Sequence, residues 1–407
     1  MSAARRVVVT GIGVISSLGK DAVEFWQALA AGRSGIGPLQ AVSAGLLRFP
    51  NAAEVRGYDP AEHFRDKETD YLDRFAQFAV VAAREAVRDS AIQFTPELRE
   101  RSAIVTGSCV GGKSTEDEGF QNLYALKRPR VNPLTIPRAM ENAGASHISI
   151  ETGIVGPTYT VSTACSSSNH ALGQAFWLVR GGVVDAAVAG GSEAPFCLGN
   201  LKAWEAMRVV SPDTCRPFSK NRRGMILGEG GAMLVLETLD AALARGAKIY
   251  AEIVGFGMSS DAHHLTQPSI EGPARAIRGA LHDGGIEPGQ VGYINAHGTA
   301  TPANDPTEAA AIRLVFGEHA ARVAVSSTKS MHGHALGAAG AIEAVATVLT
   351  LRNSLLPPTA NFDEPDPQCD IDVVHGEARP AQPEYAISNS FAFGGLNAVL
   401  AFRRWPV

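Results

Sequence analysis

Short apolar runs ending in glycine or a small polar residue recur along the chain, separated by longer stretches with helical spacing. The runs are Val7-Val8-Val9-Thr10-Gly11, Ala103 to Gly107, Asp185 to Gly190, Ala232 to Leu236, Tyr250 to Phe256, Val291 to Asn295, Val323 to Ser326 and Asn397 to Phe402. Runs this short and this continuous in Val, Ile and Ala predict strands buried on both faces. Phe75 to Asp89 predicts a helix. Buried strands alternating with helices predict an α/β fold. The longest apolar stretch, Ala335 to Leu351, carries Glu343 and is too short to span a bilayer comfortably, so it predicts a buried helix.

The pattern also repeats. Val161-Ser162-Thr163-Ala164-Cys165 is followed by His170-Ala171-Leu172-Gly173, and Val325-Ser326-Ser327-Thr328-Lys329 by His334-Ala335-Leu336-Gly337, with the same offset. Each copy predicts a small-residue helix opening after a Ser/Thr-rich strand end. Two similar buried helices are the plain explanation. A duplicated fold, divided into residues 1–250 and 251–407, is the stronger one. In it the equivalent helices pack at a pseudo-two-fold axis and bring Cys165 and Lys329 into one site.

Composition narrows the class. The chain has 407 residues, of which 45% are hydrophobic and 19% charged, enough for a large globular core. A net charge of −5 gives neither nucleic acid nor an anionic membrane an obvious whole-molecule attraction. Five cysteines without paired spacing predict reduced thiols in a cytoplasmic protein. The N-terminal Val7-Val8-Val9 run is too short for a signal peptide.

Cys165 lies between a predicted strand and a predicted helix, where the helix dipole and free backbone N–H groups favour a thiolate. A cysteine that simply fills core space fits the same pattern. His297 follows a predicted strand in Asn295-Ala296-His297-Gly298-Thr299, and His334 opens the second repeated helix after Met331-His332-Gly333. Strand ends of open α/β sheets collect sites, and thiolate catalysis needs a base. Reading His332 and His334 as metal ligands lacks further ligands at suitable spacing. Ser326-x-x-Lys329 lacks the other β-lactamase motifs. Gly228-x-Gly230-Gly231 precedes a strand rather than a helix, and the P-loop-like Gly111-Gly112-Lys113-Ser114 is also set aside.

Thr163-Ala164-Cys165-Ser166-Ser167, Asn295-Ala296-His297-Gly298-Thr299, Ser327-Thr328-Lys329-Ser330-Met331 with Gly333-His334, and Asn389-Ser390-Phe391-Ala392-Phe393-Gly394-Gly395 together resemble the active-site blocks of β-ketoacyl-[acyl carrier protein] synthases. The similarity runs almost end to end. It is strongest to the elongation class (KAS II, FabF-like), and Trp204 to Arg208 with Ser211 to Phe218 resemble the NodE subgroup. The resemblance implies a thiolase-like fold of duplicated α/β halves in five layers, usually a homodimer, with a heterodimer of related subunits also open. It implies Cys165 as acyl-carrying nucleophile, with the backbone N–H groups of Cys165 and Phe393 as oxyanion hole. His297 and His334 would act on malonyl-carrier, and Lys329 with Glu343 would form a supporting ion pair. Thr299 and Thr301 would meet the pantetheine arm, and Phe391, Val110 and Thr135 are further substrate contacts. No resident cofactor is implied, because 4′-phosphopantetheine arrives on the carrier.

Some positions depart from the family. Ala392 replaces a glycine between the gate aromatics, and Leu396 a threonine. Asn132-Pro133-Leu134-Thr135 replaces a segment that often carries two phenylalanines beside the acyl pocket. The partner implied is an acidic acyl carrier protein, for which Lys67, Lys127, Arg128, Arg130 and Arg208 are docking candidates. Asp66, Asp70 and Tyr71 stand where relatives often have basic residues. The competing functions are a noncondensing partner subunit of the chain-length-factor kind and a malonyl-carrier decarboxylase.

Overall fold

The structure, a computed structural model, describes residues 4–43 and 45–406. Ten strands build its centre: β1 (Val7–Ser16), β2 (Ser102–Gly107), β3 (Thr158–Val161), β4 (Ala186–Glu193), β5 (Gly230–Thr238), β6 (Ala251–Ser260), β7 (Val291–Asn295), β8 (Ala324–Ser326), β9 (Tyr385–Ala392) and β10 (Leu396–Arg404). The first half orders its strands β1-β5-β4-β2-β3 and the second β6-β10-β9-β7-β8. Each strand of the second half therefore matches the one five places earlier. The directions match too. In both halves the first two neighbour pairs are antiparallel and the last two parallel. The halves meet along an antiparallel seam of β1 with β6, Val7 to Val9 against Ile253 to Ala251.

Five helices complete the layers: α1 (Arg74–Ser90), α2 (Ser167–Arg180), α3 (Glu271–Gly284), α4 (Asn304–Phe316) and α5 (Ala339–Asn353). α1 packs on the strands of the first half and α3 on those of the second, while α2 and α5 pack together and touch strands of both halves of the one continuous sheet. The central helices touch closely. Ala341 N–H donates to Ser168 Oγ (2.8 Å), and a Cβ at Gly340 would run into Asn169. Every residue of α5 from Ala339 to Leu351 is buried, as a stretch apolar all round apart from Glu343, Thr347 and Thr350 requires. Among the described residues no helix is long and apolar enough to cross a membrane.

The outer helices reveal a second trace of the duplication. A Cβ on Gly11 or Gly13 would collide with the carbonyls of Ala86 or Ala82 on α1; one on Gly255 or Gly257 would collide with those of Ala280 or Ala276 on α3. Both Gly-x-Gly pairs let a helix backbone lie directly on a strand.

The predicted strands all occur, most of them longer than their apolar runs. β9 has no apolar signature, because Ser388, Asn389 and Ser390 are polar yet fully buried. The second repeat also differs from expectation. In the first copy the helix runs on from Ser167 through His170. In the second, a single turn over Lys329–His332 is broken at Gly333, and α5 begins only at Ala339. Gly333 takes φ +68, and His334 is held as a strand-like bridge, its N–H donating to Ile226 O (2.7 Å) and its carbonyl accepting from Gly228 N–H (2.9 Å).

Candidate active site

Cys165 stands at a turn set by Ala164, whose φ of +52 swings the chain from β3 into α2. That region costs a non-glycine residue roughly 1–2 kcal/mol, so local bonds must hold it. The Ser166 and Ser167 hydroxyls donate to the carbonyls of Thr163 (2.8 Å) and Ala164 (2.6 Å), and Thr163 N–H donates to Ser167 Oγ (2.9 Å). The sulfur faces a cavity of about 210 Å³ that is also lined by His297, His334, Phe391 and Phe393. Backbone N–H groups of Cys165 and Phe393 both approach it. The expectation of a thiolate-favouring site is corrected here. Burial pushes the thiol up to about 12, against the pull of Lys329 and those N–H groups. At 7% exposure the loss of water outweighs the helix start.

His297 is positioned by a buried carboxylate. Glu308 on α4 accepts from His297 N–H (2.8 Å) and Gly298 N–H (2.7 Å). One turn earlier on the same helix, Asp305 accepts from Ala300 N–H (3.1 Å) and Phe218 N–H (2.7 Å). The 297–301 loop needs this clamp, since Ala300 sits at φ +63. Sequence reasoning missed both acids. Their signal is an Asp-x-x-Glu spacing at the start of the helix that follows the histidine block.

His334 comes from the broken second repeat, and its ring meets that of His297 edge-on, with centroids 5.4 Å apart. Burial lowers both histidines well below their ordinary value, and the Lys329 ammonium lowers them further. Both rings are therefore neutral at pH 7. Lys329 is fully buried, ion-paired to Glu343, and its Nζ lies 3.4 Å from His297 Nδ1. A lysine ammonium only donates, so His297 Nδ1 accepts and its proton sits on Nε2. Neither ring nitrogen of His334 has a hydrogen-bond partner among the described residues.

Thr299 and Thr301 line the same cavity with their hydroxyls 3.0 Å apart. Val110 and Thr135 do not. Val110 packs against the cluster that contains Leu201 and Leu336, and Thr135 opens a short helix with its hydroxyl donating a hydrogen bond to Asn132 O (2.7 Å). Lys67, Lys127, Arg128, Arg130 and Arg208 are all exposed. Arg208 ends the helix Leu198–Met207, and the next residue, Val209, lines the cavity.

The P-loop-like segment is occupied by the protein itself. Gly107, Gly112, Lys113 and Ser114 have the phosphate-loop spacing, between β2 and a helix. However, Cys109 and Val110 donate their N–H groups to the buried Glu193 carboxylate (2.8 and 3.3 Å), and Lys113 pairs with Glu116 (2.7 Å). A side-chain carboxylate fills the place a phosphate would need.

Residues 4–242 match the Beta-ketoacyl synthase N-terminal domain, and residues 250–363 the C-terminal domain. The chain belongs to the β-ketoacyl synthase family. This synthase is 46% identical over 402 residues to nodulation protein E of Rhizobium sp. (strain N33), covering 98% of this chain and 99% of that protein. It is 40% identical over 412 residues to 3-oxoacyl-[acyl-carrier-protein] synthase 2 of Staphylococcus aureus (strain COL), covering all of both. Its fold matches the ishigamide ketosynthase/chain length factor with a TM-score of 0.94 at 39% identity, over 99% of this chain and 100% of that one. It also matches a type II PKS acyl-carrier protein in complex with its ketosynthase bound to the hexaketide, with a TM-score of 0.90 at 30% identity and the same coverage. The synthase is thus a condensing acyltransferase with a thiolase-like fold.

Proposed function

We propose that this synthase carries its acyl chain on Cys165 and uses His297 and His334 to drive decarboxylative condensation with malonyl-carrier. The observation that carries the assignment is the convergence of one thiol, two neutral histidines and two backbone donors on a single cavity. The Cys165 sulfur attacks the acyl-carrier thioester, and its proton leaves on the departing carrier thiol. The N–H groups of Cys165 and Phe393 stabilise the tetrahedral oxyanion. Malonyl-carrier then enters. Carbon dioxide departs, and its electron pair forms an enolate whose oxygen accepts hydrogen bonds from His297 and His334. The enolate carbon attacks the acyl carbonyl, and collapse expels the Cys165 thiolate, which takes up a proton. The product is a 3-oxoacyl-carrier longer by two carbons. Neutral imidazoles suit this role, because they donate to the oxygen without needing to lose a charge.

In this reading residues 1–250 supply the nucleophile and residues 251–407 the two histidines. Phosphopantetheine enters with an acidic acyl carrier protein, and the scheme uses no resident cofactor. The assembly is a homodimer, with pairing to a related subunit as the alternative, and the free thiols suit a reducing cytoplasm. A noncondensing subunit has no need of Cys165. Incubation with labelled acyl-carrier followed by peptide mass spectrometry should find the acyl group on Cys165. Addition of malonyl-carrier should then yield a 3-oxoacyl product. Absence of the acyl adduct would overturn the assignment, and acetyl-carrier as sole product would make the protein a decarboxylase.

A further inference from the structure

Phe393 is the weakly fastened point of the gate segment. Before it, Phe391 is buried at the end of β9 and Ala392 pairs with Leu396. After it, Gly394 N–H donates to Leu265 O (2.7 Å), and Asp261 N–H donates to Gly395 O (2.9 Å). Gly394 and Gly395 take φ +84 and +70, so the backbone turns there without side-chain constraint. Among the described residues the Phe393 ring has one aromatic neighbour. That is Trp204, with ring centroids 6.3 Å apart and planes inclined by 23°.

Trp204 has a firm base. It lies half-buried on the helix Leu198–Met207 and packs on a cluster containing Phe196, Leu201, Met225 and Leu336. The helix is tied at both ends, by Asn200 Nδ2 donating to Pro195 O (2.8 Å) and by the Glu205 carboxylate accepting from Arg48 N–H. The condensation scheme makes no use of the indole.

We propose that Trp204 is a positioning residue whose indole face holds Phe393 so that the Phe393 N–H points at the Cys165 sulfur. This rests on the proposed role of Cys165 and adds the side chain that keeps its oxyanion site complete. A stacked aromatic pair shifts a two-position equilibrium by about two- to tenfold. Without the stack, the ring is free to move about the glycine pair and carry the N–H off the sulfur. Acyl transfer then loses one of its two donors, whereas the histidine-driven decarboxylation loses nothing.

The test measures acyl transfer to Cys165 in Trp204→Ala, Trp204→Phe and the unaltered protein, with an acyl-carrier and with an acyl-pantetheine thioester. Trp204→Ala should lower kcat by about two- to tenfold with both donors at unchanged KM, and Trp204→Phe should stay within about twofold of the unaltered protein. In a Cys165→Gln background, Trp204→Ala should leave malonyl-carrier decarboxylation unchanged. Equal kcat in Trp204→Ala and unaltered protein overturns the positioning role and leaves that of Cys165 intact. A parallel loss of decarboxylation overturns it as well, because the damage is then to the fold. Failure of the unaltered protein to acylate Cys165 overturns both readings together.

Discussion

Burial that pushes the Cys165 thiol up to about 12 makes it a slow nucleophile at neutral pH. Its alkylation by iodoacetamide, followed on the Cys165 peptide by mass spectrometry, should climb about tenfold per pH unit from about pH 7 to about pH 10, because only the thiolate reacts. A plateau below about pH 9 would show that the N–H donors outweigh burial. The histidines carry the opposite signature. Both rings titrate well below an ordinary histidine, so lowering the pH from about 8 to about 6 adds no charge to them. Malonyl-carrier decarboxylation by Cys165→Gln should be flat over that range, and a fall centred near about 6.5 would contradict a neutral pair. His297→Ala and His334→Ala should keep acylation, measured as the Cys165 adduct, and lose carbon dioxide release. At this scale Cys165, His297, His334 and Lys329 were legible, since each stands in a short block of small residues at a strand end. Their charge states were not, because no sequence window contains the amount of water the fold excludes. Glu308 and Asp305 were missed for a related reason: their partners are backbone N–H groups and the neutral side-chain amides of Asn304 and Asn389, so among the described residues no ion pair betrays them.

Among the elements, most strands could be read from their apolar runs, and α5 from an apolar stretch that only Glu343, Thr347 and Thr350 interrupt before its last turn. β9 could not, because Ser388, Asn389 and Ser390 break its apolar run although all three are buried. The repeat announced two equivalent helices, yet the second copy is interrupted where the 226–228 segment grips His334. Gly333 makes the interruption possible, since a Cβ there would meet Ala53. The paired glycines of β1 and β6 offer a sharper test of the architecture. Gly255→Ala forces a methyl into the Ala280 carbonyl, as Gly11→Ala does at Ala86. Each substitution should destabilise the protein by about 1–3 kcal/mol, read as a lower thermal midpoint. Ala substitution at Gly246, which has open space but takes φ +67, should show only the milder cost of its backbone angle.

On the scale of the whole molecule, a net charge of −5 conceals a local excess of exposed cations at Lys127, Arg128 and Arg130. Arg128→Glu with Arg130→Glu should raise KM for carrier-bound substrate by roughly fivefold at low salt, on the scale of two rim ion pairs. The increase should shrink as salt screens the attraction, and small thioesters should be affected less. An unchanged KM at low salt would remove this segment from the docking face. The same scale gives the seam between the halves a practical meaning. The chain crosses from one half to the other once, through the exposed turn at Gly246. Severing it there would leave a thiol fragment and a histidine fragment. Neither could shelter its central helix alone, because α2 and α5 are each other's cover. Expressed together, the two pieces should find one another, and recovered turnover would count reassembled molecules one for one.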